Sequence, residues 1–264
     1  MMTSRFTLDA DLDLALRLAD AAREISLPRF RGSFQKRLKA DGSIVTEVDE
    51  AVEDELRELL ARERPADAIL GEERGASGSG ERRWIIDAID GTLSFAAGKT
   101  GWGTLIALEI AGNVVVSVCD DPPIDRRYWA TKGGGSFRAD AAGKPVRLKV
   151  TGTRDLARAR SFVPPPEWVR GPEAQAMAVA LAAATRPTAT QDHPALQVAF
   201  GGYDVAVVLM AGPWDLAAPL LVVEEAGGRF TDLNGAATLT AGGVFSNGAL
   251  HDATLDCLRV ARGH

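Results

Sequence analysis

The chain has 264 residues, 46% of them hydrophobic, enough to bury a sizeable core as one large domain or as two lobes. Its formal net charge is -6 and its pI about 5.2, with no basic run, which argues against nucleic acid or an anionic membrane as the main partner. If the ligand is an anion, something positive has to mediate.

The first residues, Met1 to Leu12, lack a basic region followed by an apolar core, and no apolar stretch approaches the roughly 20 residues that a bilayer span needs, so a cytoplasmic protein is expected. From Leu8 the apolar positions Leu12, Ala15, Leu16, Ala19, Ala22 and Ile25 recur at helical spacing, predicting an amphipathic helix that stops near Pro28. Lys39-Ala-Asp-Gly-Ser-Ile-Val-Thr46 reads as a turn into a short extended piece. Thr46 is then suited to cap a second helix with Val52, Leu56, Leu59 and Leu60 on one face. Asp49 falls in its first turn, where a carboxylate faces the helix dipole whatever else it does. Ala68 to Gly71 predicts a strand ending in two acids, Glu72 and Glu73, and Gly75 to Gly80 a small flexible loop over that rim.

Next comes the stretch around which the chain is organised, Trp84-Ile-Ile-Asp-Ala-Ile-Asp-Gly-Thr-Leu-Ser-Phe95. Ile85 and Ile86 carry a buried strand to Asp87, and Asp90, Gly91 and Thr92 open a loop. Two carboxylates at one strand end, beside a glycine that permits tight backbone geometry, call for a cation between them. Mg²⁺ suits such a place, because it takes oxygen ligands and shares its shell with substrate phosphate. The plainer alternative is that Asp87 and Asp90 cap a turn and a following helix.

Leu105 to Glu109 and Asn113 to Cys119 predict a hairpin, and Tyr128 to Phe137 another. A hinge near Gly143 to Thr153 divides the chain into an N-terminal α+β lobe, residues 1–148, and a C-terminal α/β lobe, residues 149–264. In the second lobe Pro164-Pro-Pro is a stiff loop, Ala174 to Ala184 a helix, and Tyr203 to Met210 a buried strand. Leu216 to Ala226 predicts a helix with Gly227-Gly228 past its end, and the plainer reading of Asp215 is its N-cap, a role compatible with aiming one carboxylate oxygen at a metal. Arg229 to Asp232 returns as a strand, and a last helix covers His251 to Val260. Cys119 and Cys257 lie far apart with no Cys or His at metal-ligand spacing, so neither a disulfide framework nor a zinc site is expected.

Several chemistries fail on spacing. Asp90-Gly-Thr-Leu93 invites a haloacid-dehalogenase-like phosphatase, but the nucleophile position two residues upstream holds Ala88. Cys119 to Arg126 has one residue too many for a cysteine-phosphatase loop, and its acids would repel phosphate. His193, His251 and His264 have no Gly-x-Ser-x-Gly partner, and Gly133 to Gly135 lacks the Lys-Ser/Thr ending of a P-loop. A non-catalytic metal-binding regulatory module remains as the alternative of another class; Thr92 and Asp49 oppose it, because they supply a group able to activate a nucleophile.

Four signatures occur in order: Val45-Thr-Glu-Val-Asp49, Gly71-Glu-Glu73, Trp84-Ile-Ile-Asp-Ala-Ile-Asp-Gly-Thr92, and Trp214-Asp-Leu-Ala-Ala218 with Glu225-Ala-Gly-Gly228. On these the chain resembles the inositol monophosphatase superfamily of Mg²⁺-dependent phosphomonoesterases. The resemblance implies an α+β fold, a layered α-β-α-β-α sandwich of the inositol monophosphatase and fructose-1,6-bisphosphatase type, commonly a homodimer. It implies that Glu72, Asp87 and the Ile89 carbonyl hold one Mg²⁺, that Asp87, Asp90 and Asp215 hold a second, and that Glu72 touches a third, with Glu73 in support. Thr92, assisted by Asp49, would activate the attacking water, with Glu72 counted among the catalytic groups. Asp90, Gly91, Thr92 and Asp215 would meet the substrate, the Gly91 and Thr92 amides taking phosphate oxygens. Most ligands then lie in residues 1–148, and residues 149–264 supply Asp215 and part of the substrate pocket.

Within the superfamily, Gly91 to Phe95, Trp102 to Leu108, Pro123 to Trp129 and Ser246 to Asp252 look most like bacterial histidinol-phosphate phosphatases. A small phosphorylated alcohol is the expected substrate, with histidinol phosphate first and inositol 1-phosphate or another sugar or cyclitol phosphate as the alternative. The departures lie elsewhere. Ala88 stands where relatives usually carry Pro, and Val208 where a Glu often contacts the substrate's organic part. The Arg-x-x-Gly-Asp/Thr segment is unrecognisable between Arg186 and Gln197, and Pro219 falls early in a helix. Val208 is expected to make the pocket less polar and to favour a less cationic leaving group.

Overall fold

The structure, a computed structural model, describes residues 7–262 except 41, 141–142, 190–191 and 241. Part of the N-terminal stretch, one residue of the predicted turn after Lys39, two residues of the 186–197 segment and His264 thus lie outside the described residues.

Helix α1 (Leu8–Arg29) buries Ala15, Ala19 and Ala22 of the predicted stripe, but the stripe is centred further round, with Leu14 and Leu18 buried and Leu12, Leu16 and Ile25 only partly so. It runs one residue past Pro28, since a proline in the last turn forfeits only the bond its missing N–H would have made. Strands β1 (Lys36–Leu38) and β2 (Ile44–Thr46) pair antiparallel and lead into α2 (Glu47–Glu63). Thr46 caps α2 from both directions: its hydroxyl accepts the Val48 and Asp49 amides, and its own amide donates to the Asp49 carboxylate.

The large sheet follows: β3 (Ala68–Gly71), β4 (Gly75–Ser77), β5 (Arg82–Asp90), β6 (Gly103–Ile110), β7 (Asn113–Asp121), β8 (Arg126–Thr131), β9 (Gly135–Asp140) and β10 (Val146–Arg147), with α3 (Thr92–Ala96) between β5 and β6. Its order is β10-β9-β8-β7-β6-β5-β3-β4, antiparallel except where β3 runs parallel to β5. The segment read as a flexible Gly/Ser loop begins instead as β4, an edge strand on β3, and the Arg57 guanidinium is bonded to the Gly75 carbonyl and the Ser77 hydroxyl. Small residues there serve an edge that a long side chain projects across.

The second sheet comprises β11 (Arg160–Phe162), β12 (Arg186–Pro187), β13 (Val205–Val208), β14 (Arg229–Thr231) and β15 (Gly243–Ser246), in the order β12-β11-β13-β15-β14. Its helices are α4 (Pro172–Ala184), α5 (Pro194–Ala199), α6 (Pro213–Glu225) and α7 (His251–Arg262).

Three apolar clusters define five layers. Leu14, Leu18, Val52 and Leu56 of α1 and α2 pack on Trp84, Ile86 and Ile106 of the large sheet. Across that sheet Ile85, Leu105 and Ala107 meet Leu216, Leu221 and Val222 of α6, which touches Ala206, Phe230 and Phe245 of the small sheet on its other side. Beyond the small sheet, Met177 and Leu181 of α4 and Leu255 and Leu258 of α7 cover Val205, Val207 and Val244. This is the α-β-α-β-α sandwich. Helix α6 is apolar all round because it has a sheet on each side. Glu225 at its end receives the Gly133 and Gly135 amides at 2.8 Å each, pinning the β8–β9 turn. Among the described residues no helix is long and apolar enough to cross a membrane.

His251 is fully buried between two hydroxyls, Nε2 2.9 Å from Thr231 Oγ1 and Nδ1 2.9 Å from Ser246 Oγ. Burial, helped by the Arg229 charge, lowers its pKa to about 4. The unfolded chain takes up this proton near pH 6.5 and the folded chain does not until about pH 4, so its contribution is present above pH 6.5 and lost as pH falls through that window. Urea denaturation of wild type and His251→Asn is expected to show the wild type losing roughly 2–3 kcal/mol more between pH 7 and pH 4.5.

Candidate active site

Side chains alternate along a strand, so Asp87 and Asp90, three apart, should point to opposite faces of the sheet. They do not, because β5 bulges: Asp87 pairs with Leu105 and Asp90 with Gly103, three steps on one strand against two on the other. Trp84, Ile86 and Ala88 face α1 and α2, Ile85 and Asp87 face α6, and the bulge returns Asp90 to the α6 side. Ala88 is buried in the outer core, away from the cavity, where its departure from the usual Pro removes no polar group.

Parallel pairing of β3 with β5 sets Gly71 beside Ile86, and thus Glu72 beside Asp87. The turn carrying Glu72 and Glu73 is held by Glu53 of α2, fully buried, whose carboxylate accepts the Glu73 amide at 2.8 Å, the Arg74 amide at 3.1 Å and Arg57 Nε at 2.8 Å. Gly71 is required there, since a Cβ would stand 2.2 Å from Glu53 Oε1. Lys39 reaches over from the β1–β2 connection, its Nζ 2.7 Å from both Glu72 and Glu73. Burial opposes the Lys39 charge, but its bonds to the two glutamates outweigh that and raise its pKa. Glu73 is pushed up to about 7, by burial first, with Lys39 pulling the other way.

Asp215 is the third residue of α6 and not its N-cap as the sequence suggested: Pro213 takes the first helical position and Gly212 caps. The Asp215 carboxylate reaches back to the Gly212 amide at 2.6 Å. Pro219 has no N–H to return to the Asp215 carbonyl, and the helix continues through it. Glu72, Asp87 and Asp215 each present one oxygen, all within 4.8 Å of one another. Asp87 Oδ2 is buried without a hydrogen-bond partner among the described residues. Burial and then the charges of Glu72, Asp90 and Asp215 hold the Asp87 pKa far above the carboxylate range. Asp90 is pushed to about 7 by burial and Glu72, and Asp215 to about 8 by burial and Asp90. Hard oxygen donors that repel one another and include a buried orphan suit a divalent cation.

Beside this cluster Thr92 Oγ1 lies 2.9 Å from Asp49 Oδ1 and 3.1 Å from the Ile89 carbonyl. Asp49 is buried, and its other oxygen is held by the Thr46 amide at 2.9 Å and by the Thr46 hydroxyl. Burial raises the Asp49 pKa against these bonds. Gly91 has φ 81°, and a Cβ there would stand 2.5 Å from the Gly101 carbonyl, so only glycine fits.

These residues line one cavity of about 890 Å³ between the sheets. Its outer part is walled by Phe162, Pro164, Trp168, Val208 and Met210 on one side and by Asp121, Asp192 and His193 on the other. His193 caps α5 and places Nε2 3.8 Å from Asp90; burial lowers its pKa to about 4, so the ring is neutral. Every predicted site residue except Glu73 and Asp49 lines the cavity; Asp49 bonds Thr92, which does, and Glu73 is tied through Lys39 to Glu72, which does. Sequence reasoning missed Lys39, Glu53 and Asp121 as parts of the site. Glu53 had left a signal, an acid within the apolar stripe of α2; Lys39 and Asp121 had none, being brought in from the β1–β2 connection and the end of β7.

The inositol monophosphatase family model matches residues 8–260. The chain is 41% identical over 251 residues to the histidinol-phosphatase of Mycobacterium tuberculosis, an alignment covering 93% of this chain and 96% of that one. It is 32% identical over 210 residues to the inositol-1-monophosphatase of Mesorhizobium japonicum, 77% of each chain. An inositol monophosphatase from Zymomonas mobilis shares its fold with a TM-score of 0.83 at 28% identity, over 97% of this chain and all 100% of that one.

Removing the Glu53 carboxylate strands two backbone amides and a partly buried guanidinium. Glu53→Ala is expected to lower stability by about 3 kcal/mol in urea denaturation, well beyond a surface substitution. A loss below about 0.5 kcal/mol would show that the glutamate turn stands without it.

Proposed function

The chain belongs to the inositol monophosphatase family of phosphomonoesterases, and on that premise we propose that it hydrolyses a small phosphorylated alcohol with Mg²⁺ at this site. The observation that carries the proposal is the convergence of Glu72, Asp87 and Asp215 beside the Thr92–Asp49 pair. Glu72, Asp87 and the Ile89 carbonyl would hold one ion, and Asp87, Asp90 and Asp215 a second. Glu72 would touch a third, weaker one, with Glu73 behind it. When bound, the ions supply positive charge to the phosphate oxygens and Lewis acidity at the reacting centre. An acidic protein thereby accommodates an anion.

The chain's own groups do the rest. Ionised Asp49 accepts a hydrogen bond from the Thr92 hydroxyl, which leaves an Oγ1 lone pair to orient a water; as the water's proton passes to Oγ1, the hydroxyl proton passes to Asp49. The water oxygen forms the new bond to phosphorus in line with the ester oxygen, whose bond breaks, and the leaving alkoxide takes up a proton from solvent water. The Thr92 amide, at the start of α3, is available to a phosphate oxygen. Lys39 keeps Glu72 and Glu73 turned inward. The active Thr92–Asp49 geometry argues against a module that binds metal without turnover.

Histidinol phosphate is the first candidate substrate, supported by relatives of that name, and a cyclitol phosphate the second, supported by relatives named for inositol 1-phosphate. The protein is proposed to work as a homodimer in which residues 1–148 and 149–264 form two lobes around the cavity.

Phosphate release from histidinol phosphate, inositol 1-phosphate, fructose 1,6-bisphosphate and 3′-phosphoadenosine 5′-phosphate tests the reading directly. Turnover is expected with Mg²⁺ and not with chelator, concentrated on one ester; metal-independent release would overturn it. Asp90→Asn is expected to abolish turnover while the protein stays folded. Thr92→Val is expected to lower kcat about 10²–10⁴-fold with KM little changed, and a near-normal kcat would remove Thr92 from the chemistry.

A further inference from the structure

Asp90 of β5, Gly103 of β6, Asp121 of β7 and Arg126 of β8 stand in one row across the large sheet: Asp90 pairs with Gly103, Thr104 with Asp120, and Asp121 with Arg126. Two strand spacings therefore separate the Asp90 and Asp121 backbones, about 10 Å. The residue between them has no side chain, and cannot have one: a Cβ on Gly103 would stand 2.4 Å from the Asp120 carbonyl. The floor of the cavity is thus open from the phosphate end at Asp90 to a second carboxylate at Asp121.

Asp121 is only 8% exposed, lines the cavity, and has Oδ1 buried with no hydrogen-bond partner among the described residues. Its cross-strand partner Arg126 has Nε buried without an acceptor among the described residues and is not bonded to Oδ1, and the two neighbouring acids are already engaged. Asp192 accepts from Arg126 at 3.2 Å and from Gln197 Nε2 at 2.5 Å, and Asp120 is held on the far face by Arg23 and Arg127. A buried carboxylate oxygen without a donor is costly, so a donor supplied by a ligand is strongly favoured there. Charge narrows the donor's nature. Asp121 and Asp192 line this end of the cavity, Asp192 paired with Arg126, while Lys99 and Arg170 are the basic residues among the cavity's lining as a whole. A hydroxyl would supply Oδ1 only a donor, whereas an ammonium supplies both a donor and a charge opposite to that of the carboxylate.

We propose that Asp121 is a specificity-determining residue, binding a protonated amine on the leaving alcohol of the phosphate ester. The inference rests on the phosphatase reading for the identity of the ester and adds to it a named group that selects the alcohol. It also revises the expectation drawn from Val208. That residue does make the β13 wall apolar, together with Phe162, Trp168 and Met210, but the carboxylate that would read a cation stands on the opposite wall. Burial and the Asp192 charge hold the Asp121 pKa at about 7, Arg126 opposing, and an ammonium at Oδ1 would favour its charged form.

The test uses the full chain with Mg²⁺ and ω-aminoalkyl phosphates of two to four carbons, compared with ω-hydroxyalkyl and n-alkyl phosphates of the same lengths. For the best chain length, kcat/KM for the amine is expected to exceed that for the alkyl ester at least tenfold, chiefly through KM. In Asp121→Asn, which keeps the shape, this ratio is expected to fall to within about twofold of one. Equal turnover of amino and alkyl esters by wild type, a preference for the hydroxyl series, or a ratio unmoved in Asp121→Asn would each overturn the proposal while leaving the phosphatase reading intact. Should no ester be hydrolysed, that reading falls, and calorimetric Kd ratios for the same esters judge the subsite: an Asp121-dependent preference for the amines supports it, and equal binding overturns it.

Discussion

Burying several carboxylates within reach of one another is unfavourable, and much of this molecule is arranged around making it tolerable. Glu72, Asp87 and Asp215 come from the turn after β3, from β5 and from the distant helix α6, and each is fixed by backbone geometry that a free side chain could not supply. Parallel pairing sets Glu72, a bulge turns Asp90, and a reach back to the Gly212 amide restrains Asp215. Lys39 offsets part of the charge from one side, but the buried oxygen of Asp87 is left without a partner. A site so strained electrostatically is poised for cations and, through them, for phosphate.

The rigidity needed for this comes from the layering. Helix α6 lies between two sheets and is covered on both sides by apolar side chains, so Asp215 at its first turn cannot drift from Asp87. Helix α2 performs a similar task from the opposite face. Its first turn carries Asp49, which orients Thr92, and its next turn carries Glu53, which clamps the glutamate turn. Two carboxylates four residues apart on one helix thereby position both the water-orienting and the metal-facing sides of the site. Neither touches the oxygen cluster formed by Glu72, Asp87 and Asp215.

The cavity divides into an end that serves phosphate and an end that serves the alcohol. The first is dense with short local motifs, and such motifs are readable because neighbours in sequence are neighbours in space: Thr46 to Asp49, Gly71 to Glu73 and Asp87 to Thr92. The second is assembled from the end of β7, the start of α5, the loop after β11 and the end of β13. Its residues have no fixed sequence spacing to betray them. Asp121 read as one acid among several after a predicted strand, and His193 as an isolated histidine.

By itself the sequence determined the helices whose apolar stripes repeat, the hairpins, the cap at Thr46, and through its four motifs the family, the layered fold and the residues to suspect. Those follow from local periodicity and local chemistry, which a single chain displays in order. It misplaced Asp215 as a cap and read β4 as a loose loop, since helix starts and edge strands depend on what packs beside them. Only the tertiary structure decided that Asp87 and Asp90 share a face, because strand alternation says the contrary and the bulge is a property of β5 against β6. Only it brought Lys39 to the glutamates, Glu53 beneath them and Asp121 into line with Asp90, contacts that depend on how strands distant in sequence stack side by side.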